Sequence, residues 1–147
     1  MPIPDLNEDG VLPEGIHDCT LEEIGERFGS FQTTDRRVRL FEKLRDLVDE
    51  ERKAGAAIEL IVDGSFTTDK ANPDDIDLVI VLPEHYNPGL KFPPLVYNAI
   101  SKRMIRRRYP FDVFVEREFS SDYYGWIDLF KKVKESNLRK GMLRIKL

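Results

Sequence analysis

The sequence predicts an α/β (α+β) fold in which helices pack on a mixed β-sheet of about four strands. Short apolar runs indicate three strands, at 58–62, 76–82 and 111–115, and residues 143–147 alternate between apolar and basic side chains as a fourth strand would. Segments before the first of these runs and after the second carry the three- and four-residue apolar spacing of amphipathic helices. Helices that alternate with strands along a chain pack on the faces of the sheet.

The first 19 residues are predicted to form an irregular N-terminal arm, 1–19, and the remainder a single domain, 20–147. Three prolines and two glycines interrupt the arm and disfavour regular backbone hydrogen bonding there. The total length of 147 residues is close to the common size of one domain. We therefore expect the arm to run as a strap over the surface of one core.

Two helices are predicted before the first apolar run. Thr20 and Glu23 have the spacing of a capping box, which begins a short helix that ends at Phe28. From about residue 35 to residue 53, apolar side chains recur at three- and four-residue steps with charged residues between them. The apolar stripe of this longer helix is expected to cover one face of the sheet.

The later elements are predicted in the same way. Residues 67–74 are rich in Thr, Asp, Asn and Pro, which indicates a loop between the first two strands. An amphipathic helix is predicted at about 95–107 and is closed by Pro110. A further helix is expected to begin after Ser120 or Ser121, since serine is a favoured N-cap residue.

Composition excludes several functional classes. Basic and acidic side chains number 23 and 27, so a formal charge of -4 provides no global positive field for nucleic acid or anionic lipid. Cys19 is the only cysteine, which excludes an internal disulfide and a zinc site made of several thiolates. No apolar run approaches the ~20 residues that span a bilayer, and the N-terminus lacks a signal-peptide pattern. We expect a cytoplasmic protein without a membrane segment.

Three acidic residues interrupt the apolar runs of two predicted strands. Asp75 and Asp77 are two residues apart, and residues at that spacing on a strand point to the same face ~6.5–7 Å from each other. Asp112 lies in the next apolar run, where an unpaired charge is costly. If the two strands are neighbours, the three carboxylates converge and their oxygens suit Mg²⁺ or Mn²⁺. These three residues are the predicted metal ligands and catalytic residues.

Gly64 and Ser65 directly follow the first predicted strand. Gly64 has no Cβ to keep a phosphate from the backbone, and the Ser65 hydroxyl and amide can donate hydrogen bonds to it. Lys70 is the cation of the loop that follows and is either a further phosphate contact or a solvated loop lysine. We therefore predict that these three residues bind a nucleoside triphosphate.

Together these motifs resemble those of the nucleotidyltransferases of the DNA polymerase beta superfamily: Gly-Ser, a spacer, Asp-x-Asp, and a later strand aspartate. The resemblance extends over about residues 58–115. It implies that Asp75 and Asp77 bind two divalent cations and that Asp112 completes the site beside the attacking hydroxyl. It also implies a triphosphate held at the Gly-Ser pair and transfer of a nucleoside monophosphate to a hydroxyl of a protein, an RNA or a small molecule.

The short chain is similar to the minimal members of that superfamily. Such members often act beside a separate helical partner of the HEPN toxin class and can adenylylate it, so the resemblance implies a place in a toxin-antitoxin or defence system. The basic segment Lys102–Arg108 is either a solvated helix end or a local contact for RNA.

Other interpretations stay open from the sequence alone. One is a non-catalytic binding module that keeps the fold and docks onto a partner protein as an antitoxin or regulatory subunit. Another is that Asp74, Asp75 and Asp77 only decorate a turn and a strand end, which leaves the acid at position 112 unexplained. A phosphohydrolase is a third.

Overall fold

The computed structural model describes residues 3–30, 34–87, 93–133 and 138–147. In chain order its elements are β1 (Ile16–Cys19), α1 (Leu21–Phe28), α2 (Arg36–Ala54), β2 (Glu59–Asp63), a 3₁₀ turn (Ser65–Thr67), β3 (Asp77–Leu82), α3 (Pro94–Ile100), α4 (Lys102–Arg108), β4 (Asp112–Arg117), α5 (Ser121–Phe130) and β5 (Met142–Lys146). The predicted combination of a mixed sheet with helices is confirmed.

The sheet has five strands in the order β1-β5-β2-β3-β4, where about four were expected. The additional strand is Ile16–Cys19, which pairs in parallel with β5 although it lies within the segment predicted to be an irregular arm. Strand β2 is antiparallel to both of its neighbours, whereas β3 and β4 run parallel. This strand was not predicted because it has only four residues and follows a segment rich in proline and glycine. It pairs with a strand at the other end of the chain.

Each face of the sheet carries its own apolar cluster. The first face is covered by α1 and α2, whose buried leucines pack with strand residues such as Leu60, Leu78 and Ile80. The second face is covered by α5, which contributes Ile127 and Phe130. The sheet is therefore the middle of three layers. Acidic residues lie at one end of its central strands, where β2 ends and β3 and β4 begin.

The observed boundaries of α1 and α2 agree with the predicted ones, whereas one later helix differs from its prediction. Thr20 and Glu23 form the predicted capping box at the start of α1. The single helix predicted at about 95–107 is wrong, because two short helices meet at Ser101. Ser101 has extended backbone angles and its hydroxyl accepts a hydrogen bond from the amide of Met104, so it caps a new helix instead of continuing the first.

Arg37 of α2 fixes the loop that follows β2. Its side chain is buried, and its guanidinium donates to the carbonyl of Phe66 at 2.6 Å and to that of Thr68 at 2.7 Å. It also donates to the carbonyls of Phe28 and Lys70. One side chain thus satisfies several buried backbone acceptors, which a loop without regular structure cannot pair by itself.

Glu51 of α2 is a buried acid without a hydrogen-bond partner among the described residues. Burial, and next the charge of Glu50, raise its pKa to about 8, although Arg108 opposes the shift. The side chain is therefore mostly protonated at neutral pH.

None of the helices in the described ranges is both long and apolar enough to cross a membrane.

We predict that Arg37→Met lowers the free energy of unfolding by roughly 3 kcal/mol, because it removes several hydrogen bonds from a charged donor and leaves their carbonyls buried. Denaturant unfolding measures this. Arg39→Met is the matched control, since the Arg39 side chain is 75% exposed and pairs with the neighbouring Asp35 of the same helix end. Equal stability of the two variants would contradict the role given to Arg37.

We predict that Glu51→Met stabilises the protein more at about pH 8 than at about pH 5. The folded-state pKa of Glu51 lies above the unfolded value, so the contribution of protonated Glu51 to stability is fully present below pH ~4.5 and is lost as pH rises through about 8. Thermal unfolding across this range measures the difference, with the exposed Glu42→Gln as control. A gain in melting temperature that does not grow with pH would refute the prediction.

Candidate functional site

Three aspartates form one row across the middle of the sheet. Asp63 is the last residue of β2 and pairs in register with Asp77, the first residue of β3. Asp77 pairs in turn with Asp112, the first residue of β4. Residues directly opposite each other on neighbouring strands lie ~4.5–5.5 Å apart, so the register alone brings these three acids together.

The row lies on the sheet face that α5 covers. Side chains two residues apart on a strand share a face, and Val79 and Phe114, two residues beyond Asp77 and Asp112, contribute to the cluster beneath α5. Asp75 was expected on the strand itself, but β3 begins only at Asp77, so Asp75 belongs to the segment that leads into it. Asp75 is nevertheless close enough to Asp112 for that charge to raise its pKa.

The two outer acids of the row are each paired with a cation. Asp63 is 2% exposed, and its carboxylate lies 2.6 Å from the amino group of Lys140, which precedes β5. At the other end, Asp112 accepts from the guanidinium of Arg106 on α4, also at 2.6 Å. Each end of the row is therefore neutralised by a basic side chain, one near in sequence and one distant.

The central acid has no such partner. In the described part of the chain, no side chain forms an ion pair with Asp77 or Asp75. Burial, followed by the charges of Asp75, Asp63 and Asp112, raises the pKa of Asp77 to about 6. Burial and the charge of Asp112 likewise raise the pKa of Asp75. The centre of the row is thus a cluster of carboxylates whose mutual repulsion a bound cation would reduce.

The donor set fits a hard divalent cation, although it is not assembled as a cluster. Among the described residues, no group of three or more His, Cys, Asp or Glu side chains is placed to hold a metal ion as it stands. The acids available around Asp77 offer carboxylate oxygens only, which are the ligands that Mg²⁺ and Mn²⁺ prefer. A cation bound here would have to draw Asp112 from its partner Arg106 or share it.

Gly64 and Ser65 adjoin the row where β2 ends. Gly64 has a φ of +93°, and a Cβ placed on it would lie 3.1 Å from the amide nitrogen of Asp77. A side chain at this position would therefore be strained and crowded against the central acid. Ser65 begins the 3₁₀ turn, and its hydroxyl accepts from the amide of Asp74 at 3.3 Å. The turn places this hydroxyl beside the segment that carries Asp75.

A cleft with a volume of ≈ 940 Å³ opens beside the row. Asp63, Asp77 and Asp112 line it together with Gly64 and Ser65. Its walls also include three lysines and a group of aromatic rings: Lys70, Lys132, Lys140, Phe114, Trp126 and Phe130. The rings of Phe114 and Trp126 stack with their centroids 3.6 Å apart. Acids, cations and apolar rings thus share one concave surface, as small-molecule sites commonly do.

The structure places Lys70 on the cleft wall but gives it a partner. Its amino group lies 3.1 Å from the carboxylate of Asp74, and its side chain is 49% exposed. Lys140, by contrast, is 12% exposed and reaches the row itself. Of these two lysines of the cleft wall, Lys70 is the more accessible to a ligand, and Lys140 is held at the row by Asp63.

The basic segment Lys102–Arg108 forms α4 and is partly engaged within the protein. Arg106 binds Asp112, and Arg108 pairs with Glu50. The amino group of Lys102 lies 4.7 Å from the centroid of the Phe114 ring. An RNA contact by this segment stays a prediction, and it would compete with these internal contacts.

Sequence reasoning missed the contributions of Asp63, Lys140 and Arg106 to the site. Asp63 carried a signal, because it is an acid at the end of a buried apolar strand and directly precedes the Gly-Ser pair. Lys140 carried none, since its contact with Asp63 depends on β5 pairing with β2 across more than 70 residues of chain. Arg106 stood among other basic residues that the sequence does not distinguish.

Comparison with known proteins gives a family but no activity. No curated protein and no solved structure matches the chain significantly. Residues 4–146 match the model of a family of unknown function (DUF6932), and because this match covers nearly the whole chain, the protein belongs to that family.

Proposed function

We propose that the protein is a metal-dependent nucleotidyltransferase that transfers a nucleoside monophosphate from a nucleoside triphosphate to a hydroxyl acceptor. One observation carries the proposal. Asp77 and Asp112 face each other on adjacent parallel strands, and Gly64 lies against the other side of Asp77. An unpaired, partly buried acid between a second acid and a glycine turn is an arrangement that suits binding of a cation together with a phosphate.

Asp75, Asp77 and Asp112 would hold Mg²⁺ or Mn²⁺. When bound, such ions neutralise the triphosphate and lower the pKa of an acceptor hydroxyl. The carboxylates have a physical reason to accept a cation, because burial and mutual repulsion raise the pKa values of Asp75 and Asp77. Cation binding would reduce the repulsion between these carboxylates.

The cleft beside the row is the proposed nucleotide site. The backbone at Gly64 permits close approach of a phosphate, and Ser65 contributes a hydroxyl at the same edge. Lys70, which lines the same cleft, would contact the phosphates. The aromatic wall that includes Phe114 and Trp126 offers an apolar surface for the base.

In the proposed reaction the acceptor oxygen bonds to the α-phosphorus while the bond from that phosphorus to the bridging oxygen breaks, which releases pyrophosphate. Asp112 would accept the hydroxyl proton; its side chain is 47% exposed and also lines a second cleft of ≈ 360 Å³ with Asp75 and Arg106. A hydroxyl that enters from this second cleft would meet the row from the side opposite Gly64. The acceptor is therefore proposed to bind there.

Cytoplasmic placement, a HEPN-like helical partner and a role in a toxin-antitoxin pair are further parts of the proposal. They rest on the motif resemblance and on the single cysteine. The alternative of a non-catalytic module that docks onto a partner shares the same fold, so the two hypotheses differ only in turnover.

We predict that the wild type, with Mg²⁺ or Mn²⁺, transfers label from an α-³²P-labelled nucleoside triphosphate and releases pyrophosphate. Asp77→Asn should lower the rate at least ~100-fold, because the central ligand is lost. All four common triphosphates are tested, with the protein itself, RNA and cell extract as acceptors. Asp128→Asn is the matched control, since Asp128 is 73% exposed on α5 and pairs with Lys131.

Two outcomes would contradict this proposal. Equal turnover by the wild type and folded Asp77→Asn would show that the row of aspartates takes no part in catalysis. Nucleotide binding without turnover with every acceptor would favour the non-catalytic module.

We also predict that Asp77→Asn stabilises the metal-free protein at about pH 7.5, by roughly 1–2 kcal/mol. The substitution removes a partly buried charge that three neighbouring acids oppose, while it keeps the shape of the side chain. Thermal unfolding in the presence of a chelator measures the change. A lower melting temperature than that of the wild type would show that the charge of Asp77 is already compensated.

A further inference from the structure

Arg106 occupies the carboxylate that the proposed cation needs. Its Nη2 donates to Oδ1 of Asp112 at 2.6 Å and to the backbone carbonyl of Val113 at 3.0 Å. The guanidinium carbon lies 5.3 Å from the centroid of the Phe114 ring. Contacts with a carboxylate, a carbonyl and a ring face hold one guanidinium in a defined place beside the row.

The two ends of the row differ in how firmly their cations are held. The pair of Lys140 with Asp63 is 12% and 2% exposed, so it is buried and structural. The pair of Arg106 with Asp112 is 37% and 47% exposed and is accessible to solvent. An exposed ion pair contributes little stability, so a divalent cation can displace it at small cost.

We propose that Arg106 is a positioning residue that competes with the divalent cation for Asp112. This inference rests on the proposed function. Without metal, the guanidinium compensates the charge of Asp112. A cation bound at Asp77 repels the guanidinium and takes over the carboxylate. The displaced side chain keeps a place in the ≈ 360 Å³ cleft that Arg106 already lines with Asp75 and Asp112. Metal binding therefore requires the Arg106 side chain to leave Asp112.

The test is Mn²⁺ binding to the full chain, measured by the electron paramagnetic resonance signal of free Mn²⁺ without nucleotide. Arg106→Gln should bind Mn²⁺ about two- to fivefold more tightly than the wild type, which is the factor expected when a competing exposed ion pair is removed. Arg103→Gln is the matched control: it makes the same charge change on an exposed residue of the same helix, and its affinity should equal that of the wild type.

A double-mutant cycle separates competition from a general charge effect. If Arg106 acts through Asp112, Arg106→Gln should leave the affinity unchanged in the Asp112→Asn background. A gain of the same size in both backgrounds, or an equal gain with Arg103→Gln, would overturn the inference. Binding that requires Asp77 but is equally tight in the wild type and Arg106→Gln would overturn it alone. Absence of Mn²⁺ binding in both proteins would overturn it together with the proposed function.

Discussion

The register that places Asp63, Asp77 and Asp112 in one row is the constraint on which the rest of the site depends. Three acids at adjacent strand ends repel one another, and burial strengthens that repulsion. The fold compensates the outer two with Lys140 and Arg106, which come from segments far apart in the sequence. Among the described residues the central acid has no ion-pair partner, so the electrostatic cost is concentrated at one position.

The loop after β2 is built to serve that position. Gly64 lies so close to Asp77 that a Cβ would crowd it, and the carbonyls of the following residues are held by the buried guanidinium of Arg37. Burial lowers the pKa of Arg37. A fixed charge from α2 therefore orders a turn whose own backbone could not do so, and this order keeps the serine hydroxyl beside the acids.

The sequence was sufficient for the elements whose signals are local. The capping box at Thr20 and Glu23 marked α1, and the acids within apolar runs marked the centre and one end of the row. It was insufficient where a contact depends on long-range pairing. The strand at Ile16–Cys19 is recognised only once β5 is beside it, and the partner of Asp63 only once β5 pairs with β2. The break at Ser101 is a third kind of case, because a capping serine inside an amphipathic pattern can also be read as a continuing helix.

The unequal exposure of the two ion pairs explains how one row can be both stable and receptive. If both outer acids were buried with their cations, recruiting either to a metal would leave a buried charge unpaired, at a cost of several kcal/mol. If both were exposed, neither ion pair would contribute much stability against the repulsion within the row. Lys140 is buried with Asp63 on the side where the sheet continues, and Arg106 is exposed with Asp112 on the edge strand, so the row is anchored at one end and open to exchange at the other.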